Sequence, residues 1–527
     1  MNETADVIVI GFGAAGACAA IEAADAGAEV LVLDRFGGGG ATALSGGIVY
    51  AGGGTAQQRE AGVDDSVDAM YDYLRLEVGD AVSEETLRRF CESSPAMIEW
   101  LERNGVPFEG SLCPYKTSYP NDDYYLYYSG SESAGGFRDL AKPAARGHRT
   151  KGPGTSGKLL FARLAQAARR RNVGVLPATR AEELIVEDGA VTGVRVRTLR
   201  GAPRHVQVRH ATMARYAAKP GIYVPAVRKA LQHRIERLER RYGREEVITA
   251  RRGVVIAAGG FIFNRPMVRE HAPAYRGGLA LGTIADDGSG IGLGTAVGAA
   301  TDEMHRVSAW RFVTPPSAML KGVLVDSAGE RIIDESRYGA AVGEAMITEH
   351  GGRAWLLADA TTVDEARRTA RGESQWFQWL QAQYLLQRGR VSADSLSEVA
   401  RRAGVDPDGL AATVEAYNAA AESGVADPAG KPAEYVRPVR TPPFSLIDVS
   451  VKPSLGFPCP MLTLGGLVVD ESTGQVRAED GAPIAGLYAA GRSAVGICSR
   501  SYVSGLSLAD CVFSGRRAGI SAASRAE

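Results

Sequence analysis

Asp6 to Ile10 reads DVIVI, and directly behind it stands GFGAAG, with glycines at 11, 13 and 16. A β-branched run of this kind is expected to form a buried parallel strand. A helical segment, ACAAIEAADAG, follows, and then a second run, EVLVLD, that ends at Asp34. Strand, GxGxxG, helix, strand and acid in this order constrain the start of the chain to a βαβ unit built to hold a dinucleotide. The glycines allow the tight turn, close backbone approach to a pyrophosphate and close helix packing. The helix N-terminus offers free N–H groups and a partial positive charge to phosphates. Asp34, 18 residues after Gly16, is placed to accept hydrogen bonds from an adenosine ribose. The alternative, a glycine turn without a ligand, leaves the second strand and its acid unexplained.

The residues that follow narrow the dinucleotide. RFGGGGATALSGGIVYAGGG keeps small residues for twenty positions after Asp34. NAD has no use for a second glycine-rich run there. FAD has, because it lies extended and its ribityl and isoalloxazine parts also press on backbone. Two later segments agree. RRGVVIAAGGF (251–261) reads as a strand ending in glycines, and APIAGLYAAGRSAVG (482–496) as a strand, a glycine turn and then a helix over the pyrimidine edge of a flavin. RAEELIVEDGAVTGVRVRT (180–198) adds a hairpin with a DG turn. The flavin-holding part is therefore expected to be assembled from both ends of the chain.

Composition removes other classes. A chain of 527 residues is too long for one core, and a formal net charge of −1 gives no reason to expect nucleic acid. Six cysteines show no CxxC pair, so they are expected to be reduced and buried rather than a disulfide or metal framework. No apolar run reaches the roughly 18 residues of a membrane span and no signal peptide precedes the first strand, so a cytoplasmic location is expected.

VIVIGFGAAG, GGATALSGG, GVVIAAGGF, DDGSGIGLGTAVGA, GERIIDES and GLYAAGR, in that order, resemble the FAD-dependent fumarate reductase, succinate dehydrogenase and 3-ketosteroid dehydrogenase superfamily. The resemblance covers nearly the whole chain. It implies an α/β fold: a Rossmann-like, glutathione-reductase-like FAD-binding domain, discontinuous at 1–301 and 450–527, with an α+β catalytic domain inserted at about 302–449. It implies non-covalent FAD, since no histidine stands in the ATALSGG segment. Expected FAD contacts are Gly11, Gly13, Ala14, Ala15, Gly16, Asp34 and Arg35, then Thr42, Ser45, Gly46 and Gly47, then Ala181, Ala258 and Gly259, and finally Gly491, Arg492, Ser507 and Leu508.

Which branch of the superfamily is at hand turns on the residues facing the flavin. Dicarboxylate reductases bind their substrate with His and Arg, including a His just before a glycine pair ahead of the last strand. Here that segment reads CPMLTLGGLVVD, with Thr463 and Leu464. Steroid dehydrogenases use tyrosines. RSYVSGLSLAD (500–510) carries Tyr502 and Ser504, which fits the Tyr-x-Ser pair of the Δ4-(5α) type better than the Δ1 type. Tyr338, after GERIIDES, is the third catalytic candidate. Tyr119 and Tyr125, in a loop with six tyrosines between 115 and 128, are expected to wall a flat apolar ligand, together with Gly505 and Leu506. The alternative for that loop is an ordinary aromatic surface.

The chemistry suits these residue types. Removing the C4 proton of a 3-ketosteroid gives an enolate-like species, and a hydride then leaves C5 for the flavin. A carboxylate would repel the enolate, whereas phenol and hydroxyl groups in a dry pocket donate to the oxyanion without adding negative charge. The reading is a 3-ketosteroid 4-dehydrogenase, with a Δ1-dehydrogenase, a fumarate-type enoate reductase and a non-catalytic flavin protein as rivals. Its partners are a 3-ketosteroid and a separate electron acceptor. The segment 204–250 interrupts the flavin part. From Val224 it has Val227, Leu231, Ile235 and Leu238 at helical spacing among Arg and Lys. It is expected to pack one face on the protein and solvate the other, with weak membrane-surface contact through 224–244 as the alternative.

Overall fold

The computed structural model describes residues 3–454 and 456–525. Its central sheet has eight strands, in the order Gln475–Arg477, Pro483–Ala489, Ala190–Thr198, Arg244–Ile256, Glu3–Ile10, Val30–Leu33 and Gly174–Leu176, with Thr179–Glu187 paired to Ala190–Thr198. Ile8, Val9, Val254 and Val255 are wholly inaccessible, as expected of strands covered on both faces. The long strand Arg244–Ile256 changes partner along its length. Residues 244–249 run antiparallel to 193–198, whereas 254–256 lie parallel between 8–10 and 487–489. Much of the segment after Tyr242, expected to belong to the insert, is therefore sheet.

Strands from both ends of the chain stop at one edge. Gly11 N–H donates to Leu33, Ala257 N–H to Ile10 and Ala490 N–H to Ile256, each as its strand ends. The carboxyl edge of such a sheet is where this architecture places its ligands. The helices Ala14–Asp25 and Leu506–Ser524 pack together over the sheet along a seam of small residues. A Cβ on Gly515 would stand 2.5 Å from the Ala15 carbonyl oxygen, and one on Gly519 2.2 Å from that of Ala19. The DG hairpin forms with Asp188 and Gly189 both at positive φ, as a type I′ turn requires.

One expectation is corrected. The chain after Gly491 makes only a 3₁₀ turn, Gly491–Ser493, and no helix covers 494–504; the helix begins at Leu506. The cause is local: Val495 N–H pairs with Leu467, Ser499 N–H closes a turn on Gly496, and Ser504 N–H pairs with Ser129, so the segment runs as turns and short irregular stretches.

The α+β unit carries a four-stranded antiparallel sheet in the order Val323–Val325, Trp355–Ala358, Phe444–Asp448 and Arg390–Ala393. Alternate residues leave its two faces. Leu324, Leu356 and Ile447 join one core, and Val323, Leu357 and Leu446 the other. Helices cover both faces. The expected insert is a helical hairpin, Arg204–Ala218 and Pro225–Tyr242, packed on the body through Met213, Ala217, Ile235 and Ile284.

Candidate active site

A single cavity of about 400 Å³ runs along the carboxyl edge of the central sheet and on to the α+β unit. Its first end is the glycine turn. Gly11 has φ +100°, and a Cβ there would sit 2.5 Å from the Ala257 carbonyl oxygen, so no other residue fits. Gly13 caps the first helix, and Ala14 N–H donates to Thr42 Oγ1 at 3.0 Å, fixing the second glycine-rich segment beside the first. Asp34 lines the cavity and also orders the loop behind it: Oδ1 accepts from the N–H groups of Phe36, Gly37 and Gly38, and Oδ2 from Phe12.

Arg35 is held from the helical hairpin. Its Nε and Nη2 donate to both oxygens of Glu239 at 3.0 and 2.9 Å, and its Nη1 to Asp287 at 3.2 Å. His210 shares the same Glu239, and its ring stacks on Phe36 at 5.7 Å. Against the upward push of burial, His210 and Arg35 hold the Glu239 carboxyl down at about 2.

These residues fit an FAD. The turn leaves room for backbone-close phosphates, and farther along the wall the Arg492 guanidinium has Nη2 on Asp286 at 2.5 Å while Nη1 is buried without a partner. A buried donor of this kind calls for an acceptor that the chain does not supply. Of the expected FAD contacts, Gly11, Gly13, Ala14, Ala15, Asp34, Arg35, Thr42, Ser45, Gly46, Gly47, Ala181, Ala258, Gly259, Arg492, Ser507 and Leu508 line the cavity. Gly16 and Gly491 do not. A Cβ on Gly16 would meet the Gly11 carbonyl oxygen at 1.9 Å, and one on Gly491 the Ala15 side chain at 2.9 Å, so both serve packing just behind the wall.

The second end gathers the catalytic candidates. Tyr502, Ser504 and Tyr338 all line it, although they come from the C-terminal part and from the start of the helix Gly339–Thr348. Tyr502 stacks on Trp310, with ring centroids 5.3 Å apart and planes 15° off parallel. Tyr338 lies 6.2 Å from Tyr502 and 5.4 Å from Phe312, and its N–H donates to Ser131 Oγ. Ser504 is pinned from both sides of its backbone by Ser129, and Tyr127 donates to its Oγ at 3.0 Å. Gly505 follows at φ +90°, where a Cβ would stand 2.7 Å from Ile48 Cγ2, and it opens the C-terminal helix.

Burial pushes the phenols of Tyr502, Tyr338 and Tyr127 well above the usual tyrosine value. Neighbouring Tyr502 and Tyr127 push Tyr338 up further, and the Ser504 hydroxyl opposes this. The site therefore presents neutral donors near one another, with the N-terminus of a long helix beside them. That arrangement can stabilise a developing oxyanion.

Tyr119 lines the cavity through its ring, while its hydroxyl stands 2.9 Å from the Gly46 and Gly154 carbonyls and accepts from Arg149 Nε. Tyr125 does not reach the cavity; its ring lies 4.8 Å from the Arg149 guanidinium. Leu506 is fully buried in the core next to Gly505, which does line the wall. Thr463, where a dicarboxylate reductase has its His, is fully buried and accepts the Phe261 N–H at 3.0 Å.

Sequence reasoning missed several wall residues. Trp310 and Phe312 stand two apart in SAWRF, and this aromatic alternation was a usable signal. The helix Trp376–Gln387, which brings Phe377, Gln378, Gln381 and Leu385 to the far wall, has no charge in WFQWLQAQYLLQ. Such a helix is expected to be apolar on more than one side. Asp286 lies in the DDGSGIGLG segment, whose acid had no assigned partner. Glu239 and His210 carried no sequence signal at all.

A family model described as an FAD binding domain matches residues 6–505. The chain is 37% identical over 499 residues to a 3-oxo-5-alpha-steroid 4-dehydrogenase of Comamonas testosteroni, covering 93% of each protein. It is 26% identical to a 3-oxosteroid 1-dehydrogenase of Mycobacterium tuberculosis, over 94% of each. Its structure is similar, with TM-score 0.83 and 33% identity, to the crystal structure of a 3-ketosteroid-delta4-(5alpha)-dehydrogenase from Rhodococcus jostii RHA1 in complex with 4-androstene-3,17-dione, covering 99% of this chain and 97% of that one.

Proposed function

The chain belongs to the FAD-binding flavoprotein family that includes the 3-ketosteroid dehydrogenases, and from that premise we propose that it introduces the C4–C5 double bond of a 3-ketosteroid. The observation that carries this reading is the convergence of Tyr502, Ser504 and Tyr338 at the apolar end of the cavity that also holds the flavin turn. FAD, when bound, supplies the acceptor for the hydride leaving C5. The chain's own residues do the rest. Trp310, Phe312, Phe377 and Leu385 offer apolar surface to a flat ring system and exclude water from it. One hydroxyl of the Tyr502–Ser504 pair donates to the C3 oxygen as negative charge grows there, and the other relays the C4 proton, releasing its own hydroxyl proton to the neighbouring hydroxyls as it takes that one up. Tyr127 orients Ser504 and Trp310 orients Tyr502.

In this reading FAD is held without a covalent bond, residues 1–301 and 450–527 form its domain, and about 302–449 supply the steroid side. The same reading gives the chain a separate electron acceptor; a weak contact of 224–244 with a membrane surface is the alternative to a helix that packs one face and solvates the other.

The test is to mix the purified protein with 5α-androstane-3,17-dione and an artificial acceptor and to locate the new double bond. Bleaching of the flavin and a C4–C5 alkene are expected. A C1–C2 alkene would reassign the protein to the Δ1 type, and an unbleached flavin would remove the steroid reading.

A further inference from the structure

Residues 203–243 contain ten Lys and Arg against two Glu, a net of +8 in a chain whose net charge is −1, which leaves −9 for everything else. None of those ten cations forms an ion pair among the described residues. The two carboxylates are taken instead by Arg35, His210 and His233. Arg228 lies over the Phe263 ring and Arg241 over Tyr242. Elsewhere the protein pairs its arginines freely, as in the Arg195, Arg197 and Arg200 ladder on the adjoining strands.

The tip of the same hairpin is apolar and open. Tyr223, Val224, Pro225, Ala226 and Val227 are five consecutive exposed residues, with Tyr223 at 43%, Val224 at 41% and Val227 at 48% exposure, and Tyr216 beside them at 55%. Residues 220–227 carry no charge, while Arg215 and Lys219 stand before them and Arg228 and Lys229 after. The hairpin is anchored to the body by Glu239 on Arg35 and by the buried Met213, Ala217 and Ile235, so its tip is presented on a fixed base.

We propose that this hairpin seats the protein on an anionic lipid bilayer, with the tip Tyr223–Val227 entering the headgroup boundary and the flanking cations held by lipid phosphates. An uncharged apolar tip between cations matches the layering of a bilayer surface, where apolar contact and anionic headgroups lie a few ångströms apart. A nucleic acid presents phosphate without an adjacent apolar layer, and the charge-free tip has no counterpart there. The proposal rests on the membrane-surface reading of 224–244 and adds the lipid class, the anchor residues and the dependence on salt.

Co-sedimentation of the FAD-loaded protein with phosphatidylcholine vesicles, with and without about one third phosphatidylglycerol, tests it. Binding to the anionic vesicles is expected at low salt, weakening at least tenfold as the salt rises to about 0.5 M, because each Lys or Arg near the surface contributes a roughly fivefold share. The Tyr223→Ser, Val224→Ser, Val227→Ser triple variant and the Lys219→Glu, Lys229→Glu double variant are each expected to lose binding at least tenfold while keeping FAD and steroid turnover. Equal binding to neutral and anionic vesicles leaves a membrane contact standing and overturns the anionic assignment. Wild-type protein that stays in the supernatant overturns both, as does tighter binding to duplex DNA that the tip variant leaves unchanged.

Discussion

The Tyr127 hydroxyl donates to Ser504 Oγ at 3.0 Å across 377 residues of chain, and both groups are buried. A serine that accepts from a neutral phenol has its own proton directed elsewhere. At this position it faces the cavity that Ser504 lines and the Tyr338 phenol that lines it too.

Tyr127→Phe is therefore expected to keep FAD and fold and to slow flavin reduction by roughly three- to tenfold, the worth of one neutral hydrogen bond. In a Ser504→Ala background the same change should have no further effect. Stopped-flow reduction by a saturating 3-ketosteroid measures this, and an undiminished effect in the double variant would place Tyr127 outside the Ser504 unit.

Tyr502→Phe and Ser504→Ala are expected to lower the reduction rate by roughly 10²–10⁴-fold for at least one of them, and non-additively. Tyr338→Phe should also slow the step. The loss should lie in the rate at saturating steroid more than in steroid affinity, because these contacts strengthen as the oxyanion forms. Near-normal rates in both the Tyr502 and Ser504 variants would reduce the pair to a lining role.

Fumarate is expected not to reoxidise the reduced enzyme at a useful rate. Thr463 Oγ1 is engaged with Phe261 N–H inside the core and cannot reach a carboxylate in the cavity. Rapid bleaching reversal by fumarate, followed at the flavin absorbance band, would contradict this.

Glu239→Gln removes the charge that holds Arg35 at the ribose end of the cavity. Charged hydrogen bonds contribute roughly 10- to 100-fold in an equilibrium, so on dilution FAD should be released at a correspondingly higher chain concentration than from the wild type. Fluorescence of freed flavin on dilution reports it without any turnover. Intact FAD should also leave the wild-type chain on heat denaturation, and flavin retained on the denatured chain would contradict the non-covalent reading.

Asp510 gives a pH signature. Burial raises its carboxyl from an ordinary 3.8 to about 6, with Arg517 opposing. Between those values the folded chain holds a proton that the unfolded chain has lost, so this group's contribution falls as pH rises through the window and stays low above it. Asp510→Asn cannot ionise. Its Tm advantage over wild type should therefore grow from about pH 4 to pH 6 and then level off; a constant difference would contradict the assignment.

Much of this arrangement was legible in advance wherever chemistry is written into consecutive residues. GFGAAG with Asp34 and the DG hairpin each constrain their own backbone, so spacing placed them, whereas the Tyr-x-Ser pair is legible only through the resemblance to the steroid dehydrogenases. Trp310 on Tyr502 was hidden because stacking joins residues 192 positions apart and leaves no periodic trace. The fixing of Arg35 by Glu239 was hidden for the same reason, and because a basic amphipathic helix looks alike whether its acids face solvent or a buried arginine. The chain after Ser493 departs from the expected helix because Gly496 and its small neighbours suit either state, and the pairing with Leu467 and Ser129 decides between them.

The shared edge of the central sheet also governs when this protein becomes yellow. Residues 254–256 need 8–10 on one side and 487–489 on the other, and the helix that completes the wall begins at Leu506. Ribosomes deliver roughly 5–20 residues per second, so the first glycine turn waits about half a minute or longer for its opposite wall. Until then it is half a cradle. Flavin uptake must accordingly follow release of nearly the entire polypeptide, and a product of premature termination before residue 483 should emerge colourless, exposing the apolar flank of Arg244–Ile256 to chaperones and proteases.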